Sequence, residues 1–184
     1  MKKILFAVLV IIVIITLLVA VGFLIVISGA FSIFMPHPPK PDITYGEFPF
    51  SITYELDGET KVIEDTVVCE FDGFVNHGTA GKYRAWKAYL KSGNEEIVLL
   101  RIENNGVIVE ISTIYGLPEY YMGDFRQSKE AYEKTMADDR YLGFYHWEDG
   151  VETNRSITKE EVFEKYNLRI IEIQHSQPIE NSFG

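Results

Sequence analysis

The sequence predicts an α+β protein: an N-terminal transmembrane helix, then a β-rich domain with an antiparallel sheet of about six or seven strands and one or two short helices. Three observations carry this reading. Residues 4–35 contain no charged side chain. Beyond them apolar and polar residues alternate with a period of two, and Asp57-Gly58, Asn105-Gly106 and Asp149-Gly150 punctuate the alternating stretches. Such dipeptides favour tight hairpins because both positions tolerate positive φ. Helical signals are short and do not alternate regularly with the strands, which argues against a parallel sheet.

The first element is the apolar run. About 20 such residues cross a hydrocarbon core of roughly 30 Å, and residues 4–35 supply 32 positions, 27 of them apolar. This predicts a single-pass signal anchor over residues 1–35, in contact with the lipid bilayer through residues 4–35. Lys2 and Lys3 precede the run, and the positive-inside rule keeps them cytoplasmic and sends the remainder outward. A cleaved signal peptide competes, since Ser28 and Ala30 are small enough for a cleavage site, but its apolar region should be only about 7–15 residues long. The sole cysteine, Cys69, lies far beyond the run, which excludes a lipidated cysteine directly behind it and any internal disulfide.

Pro36, Pro38, Pro39 and Pro41 follow at once, a composition that favours polyproline II at about 3.1 Å per residue and predicts a spacer over residues 36–44. Residues 45–184 then form one extracytoplasmic domain. Everything after Met35 carries 15 basic and 27 acidic side chains, 15 − 27 = −12. That balance argues against nucleic acid, whose affinity comes from cations displacing counterions.

Within the domain Phe48, Phe50, Ile52, Tyr54 and Leu56 alternate with polar neighbours as a half-buried strand. Asp57-Gly58 returns the chain through Lys61 to Ile63. Val67, Cys69 and Phe71 share a face of another strand, with Cys69 as a small buried side chain. After a loop over Asn76 to Gly81, Tyr83 to Lys91 is a strand with Trp86, Ala88 and Leu90 on one face. Ser92-Gly93-Asn94 turns it into Ile97 to Glu103, and Asn105-Gly106 turns that into Val107 to Tyr115, a meander of three consecutive strands. Ser128 to Ala137 reads as a short helix, Tyr141 to Trp147 as a strand. Thr158 with Glu161 makes a capping box for a helix through Tyr166, and Leu168 to Gln174 closes the domain as a strand.

Chemistry is sparse. His37, His77, His146 and His175 are too far apart in sequence for the close pairs of zinc sites, no calcium loop spacing occurs, and no metal or cofactor is expected. The serines lack a nucleophile elbow, and Cys69 sits in an apolar strand, so no catalytic constellation emerges. Carboxylate pairs such as Glu95-Glu96, Asp138-Asp139, Glu148-Asp149 and Glu160-Glu161 read as solvated charge, because neighbours on a strand point to opposite faces. Tyr120, Tyr121 and Asp124, in the segment Pro118 to Asp124, together with Trp147 are the candidate ligand contacts: amphipathic rings beside an acid suit a sugar or a peptide. The competing expectation packs one tyrosine inward and has Asp124 start a turn. Asn154-Arg155-Ser156 fits a glycosylation acceptor.

Three stretches, Tyr45 to Phe50 entering Tyr54 to Gly58, Pro118 to Asp124, and Pro178 to Phe183, resemble an uncharacterised family of small membrane-anchored bacterial envelope proteins. The resemblance implies a bacterial cell envelope and no assigned activity. The expected function is a single-pass, membrane-anchored extracytoplasmic module that binds an envelope protein or a cell-wall glycan. Two alternatives are a wall-polymer hydrolase using two carboxylates assembled by the fold, for instance Asp124 with Glu148, and a structural subunit of a membrane complex.

Overall fold

The computed structural model describes residues 10–24, 36–77, 81–113, 116–126, 128–136 and 142–184. Residues 10–24 are helical (α1) with exposed side chains. Among the described residues no helix is long and apolar enough to cross a membrane; residues 4–9 and 25–35 of the expected span lie outside them. So do residues 78–80, the expected element ends at Tyr115, Ala137 and Tyr141, and the Asp138-Asp139 pair.

After α1 come β1 (Tyr45–Leu56), β2 (Glu59–Asn76), β3 (Lys82–Leu90), β4 (Ile97–Asn104), β5 (Val107–Thr113), α2 (Pro118–Tyr121), α3 (Lys129–Met136), β6 (Leu142–Glu148), β7 (Val151–Ser156), α4 (Lys159–Tyr166) and β8 (Leu168–His175). The class is α+β, mostly β. The expected single sheet of about six or seven strands is instead two antiparallel four-stranded sheets, ordered β3-β2-β1-β8 and β4-β5-β6-β7. The described residues form two compact units, the chain up to Lys40 with Asp72–Ala85, and Pro41–Phe71 with Trp86–Gly184.

The turn dipeptides do what their chemistry dictates. Asp57, Asn105 and Asp149 have φ of 53°, 50° and 51°, and the glycine after each is also positive, so β1–β2, β4–β5 and β6–β7 are tight hairpins. The segments expected as separate strands around Ile63 and Val67 are one 18-residue strand, β2. No glycine or proline interrupts Glu64-Asp65-Thr66, and these residues stay in register with Ser51, Phe50 and Pro49. Pro49 is tolerated because β8 pairing begins only at Phe50.

The expected hairpin from β3 to β4 does not form. Lys91 donates its amide to the Thr66 carbonyl at 2.9 Å, and the Ser92 amide donates to Asp65 at 3.3 Å, which holds the end of β3 against β2. The turn therefore carries the chain from one sheet to the other, and the meander is β4 through β7. In α4 the Thr158 hydroxyl accepts the Glu161 amide at 3.2 Å as expected, but the Glu161 carboxylate turns away to Arg155 and Lys165. Asn167, with φ 49°, ends the helix in the left-handed region.

One apolar cluster runs through the second unit. It takes Phe48, Phe50, Ile52 and Tyr54 from β1, Val67 and Cys69 from β2, Ile111 and Leu142 from the other sheet, Val162 from α4, and Tyr121 and Met122 from around α2. The C-terminal tail straps α2 to the start of this unit. Ile179 donates its amide to the Tyr121 carbonyl at 2.9 Å, and the Asn181 side chain accepts from the Ile43 amide at 3.0 Å and donates to the Met122 carbonyl at 3.2 Å.

Gly123 is where that strap is tightest. Its φ is +66°, and a Cβ there would lie 2.5 Å from the Ile179 carbonyl oxygen. Gly123→Ala should therefore cost about 2–3 kcal/mol. Gly58→Ala, with positive φ but open space around it, should cost about 1 kcal/mol. Urea unfolding of both variants checks the ranking, and equal losses would show that the strap bears no strain.

Candidate functional site

Three of the four expected ligand contacts lie inside. Tyr120, Tyr121 and Asp124 are 4%, 0% and 2% exposed. Pro118 occupies the first turn of α2, and helical geometry turns consecutive residues by about 100°, so two adjacent tyrosines both reach the core. Tyr121 stacks on Phe48 at 4.8 Å and shares a hydrogen bond with His175 Nδ1 at 3.2 Å. Tyr120 sets an edge against Tyr121 and Phe125. Asp124 accepts the Trp86 indole N–H at 2.9 Å. Burial raises the Tyr121 phenol pKa far above its ordinary value, pushes the Cys69 thiol up to about 12 and lowers His175. With ring faces and carboxylate enclosed, these three residues build the core. Asp124 is enclosed and bonded to the Trp86 indole, whereas Glu148 is exposed at the end of β6, with its carboxylate 3.9 Å from His146 Nε2.

Trp147 lies in a different environment. The alternation of β6 puts Gly143, Tyr145 and Trp147 on one face, and the register sets Glu110 and Asn154 beside Tyr145, and Ile108 and Glu152 beside Trp147. A Cβ at Gly143 would fall 2.9 Å from the Tyr145 ring and 3.2 Å from the Ser112 hydroxyl. The missing side chain therefore lets Tyr145 lie back along its own strand. The Tyr145 and Trp147 rings are nearly parallel, 5.7 Å apart and inclined by 12°, and the Tyr145 hydroxyl donates to Glu96 at 3.2 Å.

Open clefts flank Tyr145. One, of about 700 Å³, is walled by Tyr145 and Trp147 and ringed by Asp65, Glu95, Glu96, Glu110, Glu152 and a single cation, Arg101. The other, of about 740 Å³, runs past Ser112, Gly143, Asn154 and Arg155. Glu110 is only 8% exposed and is compensated by Arg101 at 2.8 Å, since a buried carboxylate without a partner would be costly. Burial, with Glu96 nearby, raises the Tyr145 phenol, so it donates rather than ionises at neutral pH. Among the described residues no group of three or more His, Cys, Asp or Glu is arranged to hold a metal ion. The arrangement can stack a ring, accept hydrogen bonds from hydroxyls and disfavour anions.

Sequence reasoning names Trp147 here and misses Tyr145, Glu96, Arg101 and Glu110. Gly143 and Tyr145 are legible from the period-two spacing before Trp147. The others arrive through the register of β4 and β5 and through the chain crossing between sheets, which no local pattern encodes. No protein-family model, curated protein or solved structure matches the chain.

Gly143→Ala should tilt Tyr145 off Trp147 and change near-UV circular dichroism and tryptophan fluorescence, at a stability cost of about 1–3 kcal/mol. Tyr145→Phe should keep the ring signal while losing the bond to Glu96. An unchanged spectrum in Gly143→Ala would show that the glycine does not set the ring.

Among the described residues His175, Glu47, Glu130 and Glu161 all have pKa values lowered in the fold, and His175 and Glu161 mark the two ends of the acid response. His175 titrates in the fold below its ordinary 6.5 because it is buried, so the unfolded chain takes up the proton first and stability falls as pH drops below about 6.5. Glu161 is lowered to about 2 by Arg155, then Lys165; its contribution is complete above about 4.5 and is lost as pH falls toward 2. Urea midpoints between pH 7 and 3 should decline in both windows. His175→Gln should flatten the upper one, and an unaltered upper slope would count against His175.

Proposed function

We propose that the chain is a single-pass membrane-anchored module in a bacterial envelope, its N-terminus cytoplasmic, its outer part binding a cell-wall glycan rather than transforming it. The anchor reading rests on the uncharged run 4–35 behind Lys2 and Lys3. The helical conformation of residues 10–24 agrees with it, as does Thr16, whose hydroxyl donates to the Ile12 carbonyl at 2.8 Å, satisfied within the helix as lipid demands.

The observation that carries the binding reading is the parallel Tyr145–Trp147 pair, seated over Gly143 in a polar cleft. Aromatic faces receive the C–H faces of a sugar, while Glu96, Glu152 and Asn154 accept or donate hydrogen bonds at its edges. Several carboxylates around one aromatic wall also favour a second reading, hydrolysis of the same polymer. Against it, Glu110 is tied to Arg101 and Glu96 to Tyr145, which suits fixed acceptors better than a carboxyl exchanging protons.

Calorimetric titration of the full chain in detergent with soluble β-linked N-acetylhexosamine oligosaccharides should show saturable binding. Trp147→Ala should weaken it at least about tenfold, the equivalent of about 1.4 kcal/mol, and Phe163→Ala, an exposed aromatic on α4, should not. Absence of heat with any wall oligosaccharide would overturn the glycan reading. New reducing ends during incubation would select the hydrolase.

A further inference from the structure

The end of the β2–β3 hairpin, Asp72–Ala85, forms a compact unit with the chain up to Lys40. The proline-rich segment is therefore not a free stalk. His37 packs its ring on Phe74 at 4.7 Å, and Arg84 donates to the Pro39 carbonyl at 3.2 Å. Within the hairpin the His77 amide donates to the Gly81 carbonyl at 2.9 Å, and the His77 ring meets Tyr83 at 5.6 Å.

These contacts hold the hairpin beside residues that follow the apolar run in sequence. His37 is two residues past Met35, and a residue spans at most about 3.6 Å, so Phe74 is held beside a point roughly 7 Å of chain from the end of that run. The charge here also departs from the rest. Residues 36–40 and the described part of 72–85 contain Lys40, Lys82 and Arg84 against Asp72, 3 − 1 = +2, in a chain that after Met35 sums to 15 − 27 = −12. Phe74, Tyr83 and the exposed Val75 add apolar and amphipathic surface. Basic side chains among aromatic ones, next to an apolar span, match the headgroup layer of a bilayer.

We propose that the end of the β2–β3 hairpin is a second membrane contact, with Lys40, Lys82 and Arg84 facing anionic lipid headgroups and Phe74, Val75 and Tyr83 in the interfacial layer. This rests on the anchor reading. The proline segment, pinned along the hairpin by His37 and Pro39, then holds the hairpin near the bilayer surface.

The test uses the full chain in vesicles with a fluorophore on Val75→Cys. Cys69 is fully buried and does not compete for the label. Headgroup-nitroxide lipids in phosphatidylglycerol vesicles should quench this label several-fold more than the same label on Val151→Cys, an exposed position in β7. Lys40→Glu with Lys82→Glu should abolish the difference. Equal quenching at the two positions, in vesicles that retain the chain through carbonate washing, overturns the hairpin contact and leaves the anchor standing. Equal quenching of the Val75→Cys label in phosphatidylcholine and phosphatidylglycerol vesicles overturns its electrostatic basis. Loss of the chain to the carbonate wash overturns the anchor reading itself.

Discussion

The stacking of Tyr121 on Phe48 is the contact from which the second unit is organised. Its ring covers the apolar row of β1, its hydroxyl reaches His175 at the end of β8, and its carbonyl receives the amide of Ile179 from the tail. A single residue of a four-residue helix thus joins β1, β8 and the C-terminal strap. An aromatic pair adds about 0.5–1.5 kcal/mol beyond the area it buries, but the larger effect is geometric. With Tyr121 fixed, Met122 and Asp124 must also face inward, and Asp124 reaches the indole of Trp86. That bond ties α2 to β3 and consumes the carboxylate that looks most available in the sequence.

Local chemistry made the strands and turns legible, and its limits explain what was not. Alternation of Phe48, Phe50, Ile52 and Tyr54 specifies a buried face, and the Asp-Gly and Asn-Gly dipeptides specify turns with two positive φ angles. Neither specifies which strand lies alongside. Gly93 serves a hairpin and a crossing between sheets equally well, so the partner of β3 was decided by Asp65, nearly thirty residues away, through its hold on Ser92. The paired tyrosines failed for a related reason. On a strand they would point to opposite faces and one would be exposed, whereas one helical turn begun by Pro118 buries both. At Trp147 the period-two alternation of β6 holds and sets it on the face that lines the cleft.

The cleft differs from the core in how its polar groups are satisfied. In the core no buried side-chain nitrogen or oxygen among the described residues is left without a partner. Around Tyr145 an open cleft has an aromatic wall among its carboxylates, with one arginine to offset five acids. Such a surface pays desolvation badly for phosphate or carboxylate ligands and well for hydroxyls. A neutral sugar needs no counter-charge, so the acidic ring is compatible with the glycan reading rather than evidence for cation binding alone.

Charge is also distributed unevenly along the chain, and on the anchor reading that asymmetry has a mechanical meaning. An acidic surface beside an anionic leaflet is repelled within about 8–10 Å, one Debye length in physiological salt. A free polyproline spacer would let this repulsion push the acidic part away with no preferred orientation. Residues 37–39 instead lie along Phe74 and Arg84, so a net-positive part of the chain is held beside residues that directly follow the apolar run in sequence. On that reading, attraction of the basic side chains and repulsion of the acidic ones act on the anchored chain in opposite senses, and both weaken as ionic strength rises.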